Sequence, residues 1–235
     1  MTVTFIHGFT QTRQSWAPVL GYSKLGNFLC IDAPGHGTRP EIDDNLWVVA
    51  HSLADELDRG PLVGYSMGGR IALHIALAHP DKVSHLVLIS ATPGIEDERE
   101  RAARREADET LIRRLEEIGV DAFIAEWMSG PLFRSYTPTR ADLASRRTNT
   151  VVGLSASLRH QGTGTQDDLW RRLTELTMPV LLIVGGDDGK FVAINRRMAS
   201  LIRDVEVVEV ADAGHAVHLE RPQLVAELID RFVIG

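Results

Sequence analysis

Long apolar runs, paired cysteines and an excess of positive charge are all missing from this chain. No stretch approaches the roughly 20 consecutive apolar residues that carry a helix across a bilayer, so membrane insertion is not expected. Cys30 is the only cysteine, which excludes an intrachain disulfide and fits a reducing, cytoplasmic compartment. The opening residues Met1 to Ile6 carry no charged segment and no long apolar stretch, so no secretion signal is expected there. Lys and Arg number 25 against 32 Asp and Glu, a formal net charge of −7, which is the reverse of a nucleic-acid binder. Neither G-x-x-x-x-G-K nor G-x-G-x-x-G occurs, so a nucleotide cofactor is not expected. The nine histidines form no H-x-x-x-H pair with an acidic partner, so no metal is expected either.

What remains is an ordinary globular composition, 44% hydrophobic and 24% charged over 235 residues, enough for one full core. Short apolar runs alternate with amphipathic stretches. The runs are 3–6, 28–31, 61–63, 86–89, 180–184 and 205–210, and the helical patterns lie at 46–58, 67–79, 191–203 and 222–233. Strands alternating with helices predict an α/β fold with a parallel sheet covered on both faces. The first five runs lack strict polar alternation, as buried strands do, whereas 205–210 alternates in part and is expected at a sheet edge. Between residues 95 and 176 no strand is legible. Helical patterns fall at 96–118, 122–127, 139–146, 148–159 and 166–175. The expectation is an α/β core from 1–94 and 177–235, with 95–176 inserted as a helical lid over the strand ends where open sheets bind ligands.

The chemistry concentrates at those strand ends. Gly64-Tyr65-Ser66-Met67-Gly68 reads G-x-S-x-G between an apolar run and a helical pattern, the strand–turn–helix setting that exposes a serine nucleophile. A serine needs a base, and the base an orienting acid. His215 follows the last run and is the candidate base. Asp187 and Asp188 follow the run 180–184 and are the candidate acids. An oxyanion hole needs two backbone N–H groups, and Met67 and Phe9, the latter in His7-Gly8-Phe9 after the first run, are placed to supply them. Asp32-Ala33-Pro34-Gly35-His36-Gly37 reads as a structural turn.

Together these motifs resemble the α/β-hydrolase fold along the whole chain. In that fold the triad runs Ser, acid, His, and its G-x-x-D spacing favours Asp188 over Asp187 as the acid. A narrower resemblance is carried by H-G-F-T-Q-T at 7–12, G-Y-S-M-G-G-R at 64–70, P-G-I with its following arginines at 93–108, W…P-L-F at 127–133 and G-x-D-x-K-F at 186–191. These resemble the 2-succinyl-6-hydroxy-2,4-cyclohexadiene-1-carboxylate synthases of menaquinone biosynthesis. The resemblance implies a carbon–oxygen lyase that removes a proton alpha to a succinyl ketone and eliminates pyruvate. It further implies a small polycarboxylate substrate bound by Tyr65, Arg70, Arg104, Trp127, Arg147 and Lys190, with Arg146 the alternative to Arg147. Three carboxylates call for cationic partners, and so for a locally positive cleft on a globally acidic protein. The same triad would also serve a carboxylesterase or carbon–carbon hydrolase working through an acyl-enzyme, which is the competing expectation.

Overall fold

A computed structural model describes residues 1–235. Six strands form one wholly parallel sheet: β1 (Val3–Ile6), β2 (Phe28–Ile31), β3 (Gly60–Tyr65), β4 (Val83–Ile89), β5 (Val180–Gly185) and β6 (Val205–Val210). Their spatial order is β2-β1-β3-β4-β5-β6. The nine α-helices are α1 (Ala17–Leu20), α2 (Leu46–Glu56), α3 (Met67–Ala78), α4 (Glu98–Met128), α5 (Arg140–Arg146), α6 (Val151–Gln161), α7 (Gly189–Ala199), α8 (Val217–Glu220) and α9 (Pro222–Ile234).

Side chains alternate across a strand, so one apolar run feeds two cores. Leu62, Leu86, Leu88, Val180 and Leu182 face a cluster completed by α2, α3 and Met198 of α7. Their neighbours Val63, Val87, Ile89, Leu181 and Ile183 face the opposite cluster, completed by Trp16, α1, α8 and α9. β3 and β5 are buried along their whole length, as unbroken apolar runs require. The register Tyr65 beside Ile89 and Ile89 beside Ile183 brings the carboxyl ends of β3, β4 and β5 into line.

Two local expectations differ from the structure. The run 28–31 is not buried on both faces: β2 is an edge strand, and Phe28 and Leu29, on opposite faces, are both exposed. The pattern at 166–175 does not form a helix beyond a 3₁₀ turn at Arg171–Glu175. It is tied instead to the loop after β4, where the Leu169 backbone N–H donates to Pro93 O at 2.8 Å and the Gln166 side-chain Nε2 to Thr92 O at 3.2 Å. β6, half-exposed along most of its length, lies at the other edge.

Residues 95–176 contain only helices and turns. The two helical patterns at 96–118 and 122–127 merge into α4, which is broken at Gly119, where φ is 75°. α4 and α6 enclose a small core of their own, with Leu115, Phe123, Ile124, Met128, Phe133 and Leu154 meeting Ala216. Ala216 adjoins His215, so this core rests on the ends of the strands.

Candidate active site

Ser66 sits between β3 and α3 with φ 51° and ψ −109°, a strained backbone for any residue but glycine. The turn closes only because of its glycines. A Cβ on Gly68 would strike Ile6 O and His7 O, and one on Gly64 would strike Gly68 O. The strain therefore holds the Ser66 hydroxyl out at the carboxyl end of the sheet. Its proton points at His215, whose Nε2 accepts at 3.0 Å. The other ring nitrogen, Nδ1–H, donates to Asp188 Oδ2 at 2.7 Å, which fixes the tautomer a general base needs.

Each partner arrives on its own strand. Asp188 follows β5, and its second oxygen caps α7 by accepting Phe191 N–H at 3.5 Å. One carboxylate thus serves both roles, while Asp187 is exposed. His215 follows β6, flanked by Phe191 and Tyr65 with ring centroids at 4.6 and 5.5 Å. The loops after β5 and β6 lie so close that a Cβ on Gly185 would strike Gly214 O.

The amide pattern after β1 leaves the Phe9 donor to spare. Gly8 N–H donates to Gln11 Oε1 and Thr10 N–H to His36 Nε2, but Phe9 N–H donates to no protein group. Met67 opens α3, so its N–H has no acceptor within the helix. Phe9 and Met67 line, with Ser66 and His215, a cavity of about 1080 Å³ that also reaches residues of the 95–176 segment. His7 is not a second base. Its Nδ1–H donates to Gly8 O and its Nε2 accepts Ala33 N–H, and burial pushes it down to about 4, so it stays neutral.

Five cations line the cavity: Arg70, Arg104, Arg134, Lys190 and Arg197. Five acids do so too, namely Glu96, Asp97, Glu100, Asp187 and Asp188. The cavity as a whole is therefore not positive, contrary to the simple expectation; its positive charge is local. Arg197 is spent on Glu96. Arg70 is buried one turn into α3, where Nη1 donates to Gln161 O at 2.6 Å. Burial, and then the nearby Arg104, push its guanidinium down to about 9, which leaves it cationic at neutral pH. Arg104 pairs with Asp108 at 2.9 Å on the same face of α4. Burial raises the Asp108 carboxyl above its ordinary value, against the pull of Arg104. Only Arg104 is paired with this carboxylate; Arg70 feels its charge from beyond hydrogen-bond reach, so a net positive charge remains beside the cavity. Trp127 lines the same wall, edge-to-face with Phe9 at 5.3 Å, and Lys190 lies against Phe191.

Two of the sequence-based candidates fall elsewhere. Tyr65 is the last residue of β3 and its ring turns away from the cavity, lying 4.0 Å from the ring of buried His218. Burial raises its phenol far above the ordinary value. It supports the His215 ring from behind and cannot touch a ligand in the cavity. Arg147 caps the end of α5 on the outer surface, 3.9 Å from the Asp121 carboxylate, and does not reach the cavity. Its neighbour Arg146 points inward but stops at the loop after β1, with Nη1 on Thr10 Oγ1 at 2.6 Å. Arg134, Ser157 and Gln161 line the cavity without having been singled out from the sequence. Arg134 follows the W…P-L-F block directly, and that adjacency was the one available signal.

The chain matches the family model described as the alpha/beta hydrolase family over residues 5–228. It is 36% identical to a putative 2-succinyl-6-hydroxy-2,4-cyclohexadiene-1-carboxylate synthase of Bacillus subtilis (strain 168), over 98% of this chain and 89% of that one. It is 31% identical to the synthase of the same name from Enterobacter sp. (strain 638), over 95% and 88%. The solved structure of MenH from S. aureus superposes with a TM-score of 0.93 at 30% identity, covering 100% of this chain and 93% of that one.

Proposed function

Since the chain belongs to the alpha/beta hydrolase family and, within it, to the 2-succinyl-6-hydroxy-2,4-cyclohexadiene-1-carboxylate synthases, we propose the following account of its chemistry. It is a lyase of menaquinone biosynthesis that eliminates pyruvate from 2-succinyl-5-enolpyruvyl-6-hydroxy-3-cyclohexene-1-carboxylate. A small polycarboxylate is its substrate, and we place its action in the cytoplasm. No helix is long and apolar enough to cross a membrane.

In this reading Ser66 and His215 act as a relay for one proton. His215, held by Asp188, draws the hydroxyl proton as Ser66 Oγ takes the ring proton alpha to the succinyl ketone. The electron pair of that C–H bond moves into a dienolate, and charge builds on the ketone oxygen. The Phe9 and Met67 N–H groups receive that oxygen. The dienolate then collapses as the ring C–O bond breaks, expelling the enolpyruvyl group. The proton on His215 goes to this leaving group, which becomes pyruvate, so that the enzyme ends in its starting state. Arg70 and Arg104, with Arg134 and Lys190 at the rim, hold carboxylates and so fix which C–H faces Ser66.

The observation that carries this reading is the Ser66 hydroxyl 3.0 Å from a base, in a cavity that also holds the buried Arg70. A neutral ester has no use for a buried guanidinium. The test is pyruvate release by Ser66→Ala. Loss of a serine that works as a unit with its histidine costs roughly 10³-fold or more in kcat, and that loss is expected here with folding unchanged. A near-normal rate in this variant would overturn the relay.

A further inference from the structure

We propose that Arg146 and Asn149, both in the lid, are positioning residues that set the oxyanion hole by clamping Thr10. The inference rests on the reading above, in which Phe9 N–H receives developing charge.

Thr10 adopts φ 64°, a left-handed conformation uncommon for a β-branched residue. Such a conformation persists only where the surroundings over-determine it, and here every polar atom of the residue is held. Its N–H donates to His36 Nε2 at 3.3 Å, its carbonyl accepts Asn149 Nδ2–H at 2.7 Å, and its Oγ1 accepts Arg146 Nη1–H at 2.6 Å. Two of the three partners come from the lid, well over a hundred residues along the chain. Arg146 and Asn149 are both buried. Arg146 is in turn anchored by Asp142 at 2.9 Å, and Asn149 Nδ2 also donates to Arg146 O at 2.9 Å. Two further bonds fasten the same stretch of lid to the strand-end loops: Thr12 Oγ1 with Ser145 Oγ at 2.5 Å, and Gly37 N–H to Asn149 Oδ1 at 2.8 Å.

Thr10 directly follows Phe9, so clamping Thr10 fixes the Phe9–Thr10 peptide, while Gln11 holds the Gly8 amide on the other side, and the Phe9 N–H between them is left a narrow range of directions. An oxyanion donor works only when aimed at the place where charge develops, and a displacement of about 1 Å at a reacting centre can cost on the order of 100-fold. The lid is therefore more than a roof. Residues 145–149 complete the catalytic loop, and a core lacking them has a mis-set donor even with its triad intact.

The test compares Asn149→Ala, Asn149→Asp, Thr10→Val, Arg146→Met and Arg146→Lys in pyruvate release, with Ser66→Ala in the same series and a thermal midpoint for each protein. Asn149→Ala and Thr10→Val are expected to lower kcat about 10- to 100-fold with KM within about twofold, because the carboxylate-binding cations are untouched. Arg146→Lys, which keeps one donor for Thr10 Oγ1, is expected to recover part of the kcat lost in Arg146→Met. Asn149→Asp keeps the acceptor for Gly37 N–H but loses the donor for Thr10 O, so it is expected to be as slow as Asn149→Ala. Recovery of kcat in Asn149→Asp would place the effect in the Gly37 turn and overturn the proposal. So would wild-type kcat in both Asn149→Ala and Thr10→Val beside an inactive Ser66→Ala. Should Asn149→Ala fail to fold, Thr10→Val, which removes one oxygen at nearly constant volume, decides alone. A wild-type rate in Ser66→Ala is a different failure: it overturns the underlying relay, and the clamp with it.

Discussion

Arg146 and Arg147 are chain neighbours with the same chemistry and opposite surroundings. Successive side chains on a helix leave it in different directions, and at the end of α5 one step separates a buried group from an exposed one. No spacing rule could choose between two adjacent arginines, because only the packing of α5 on the loop after β1 breaks the tie. Tyr65 shows the same limit. The motif fixes its place before Ser66, but the alternation of β3 turns its ring to the face opposite the cavity. The triad was more legible, since G-x-S-x-G, G-x-x-D and A-G-H each mark the end of a strand and the strands bring them together. The geometry separates the arginines by consequence. Arg147→Ala is expected to leave kcat/KM for pyruvate release within about twofold. Arg104→Ala is expected to lower it about 10- to 100-fold, chiefly through KM, with Asp108 left unpaired beside Arg70. A tenfold loss in Arg147→Ala would contradict the placement of that side chain.

At the scale of elements, apolar runs identified all six strands because a sheet covered on both faces demands them. The same runs could not rank the strands. Phe28-Leu29-Cys30-Ile31 reads like a central strand yet forms an edge, since nothing local records which side remains without a partner. Helices were legible where a cap or a glycine marks a boundary. Thr150 accepts Gly153 N–H at 3.0 Å and starts α6 three residues later than the apolar spacing suggested. The failed helix at 166–175 is tied to the loop at Thr92–Pro93 by the Leu169 backbone N–H and the Gln166 side chain, a long-range competition invisible to local pattern. The anchoring of residues 145–149 belongs to this class as well: Asn149 carries no motif, and its meaning appears only when Thr10 is seen opposite it.

For the whole molecule, net charge was a poor guide to the site. A chain of −7 holds a buried Arg70 beside its cavity because local pairing, rather than the total, sets the field there. Buried histidines give the folded protein a stronger signature. Burial pushes His7, His36 and His74 down to about 4, 3 and 4, and His218 well below the usual value. Unfolded imidazoles take up protons near pH 6.5, but these four do so in the folded state only at far lower pH. Between about pH 6.5 and 4 the unfolded chain thus binds more protons and gains on the folded one. Stability is full above that window and is lost as pH falls through it, by several kcal/mol in total. Asp32 adds to the loss at lower pH still: although burial works to raise it, hydrogen bonds from the Arg13 and Thr38 backbones hold it below its ordinary value. Asp108, raised by burial, opposes the trend in part. Urea midpoints are expected to be level from pH 8 to 7 and to fall clearly by pH 5. A flat profile down to pH 5 would contradict the neutral, buried state of these rings.

The most direct test of the central claim is made on the unaltered protein, by measuring pyruvate release from the enolpyruvyl substrate beside hydrolysis of a p-nitrophenyl ester. The triad geometry permits either reaction, whereas the buried Arg70 and its neighbours suit only the polycarboxylate. Pyruvate release with a kcat/KM at least about 10³-fold above that for the ester is expected. Rapid ester turnover, with pyruvate appearing no faster than it does without enzyme, would contradict the account and leave a serine hydrolase in its place.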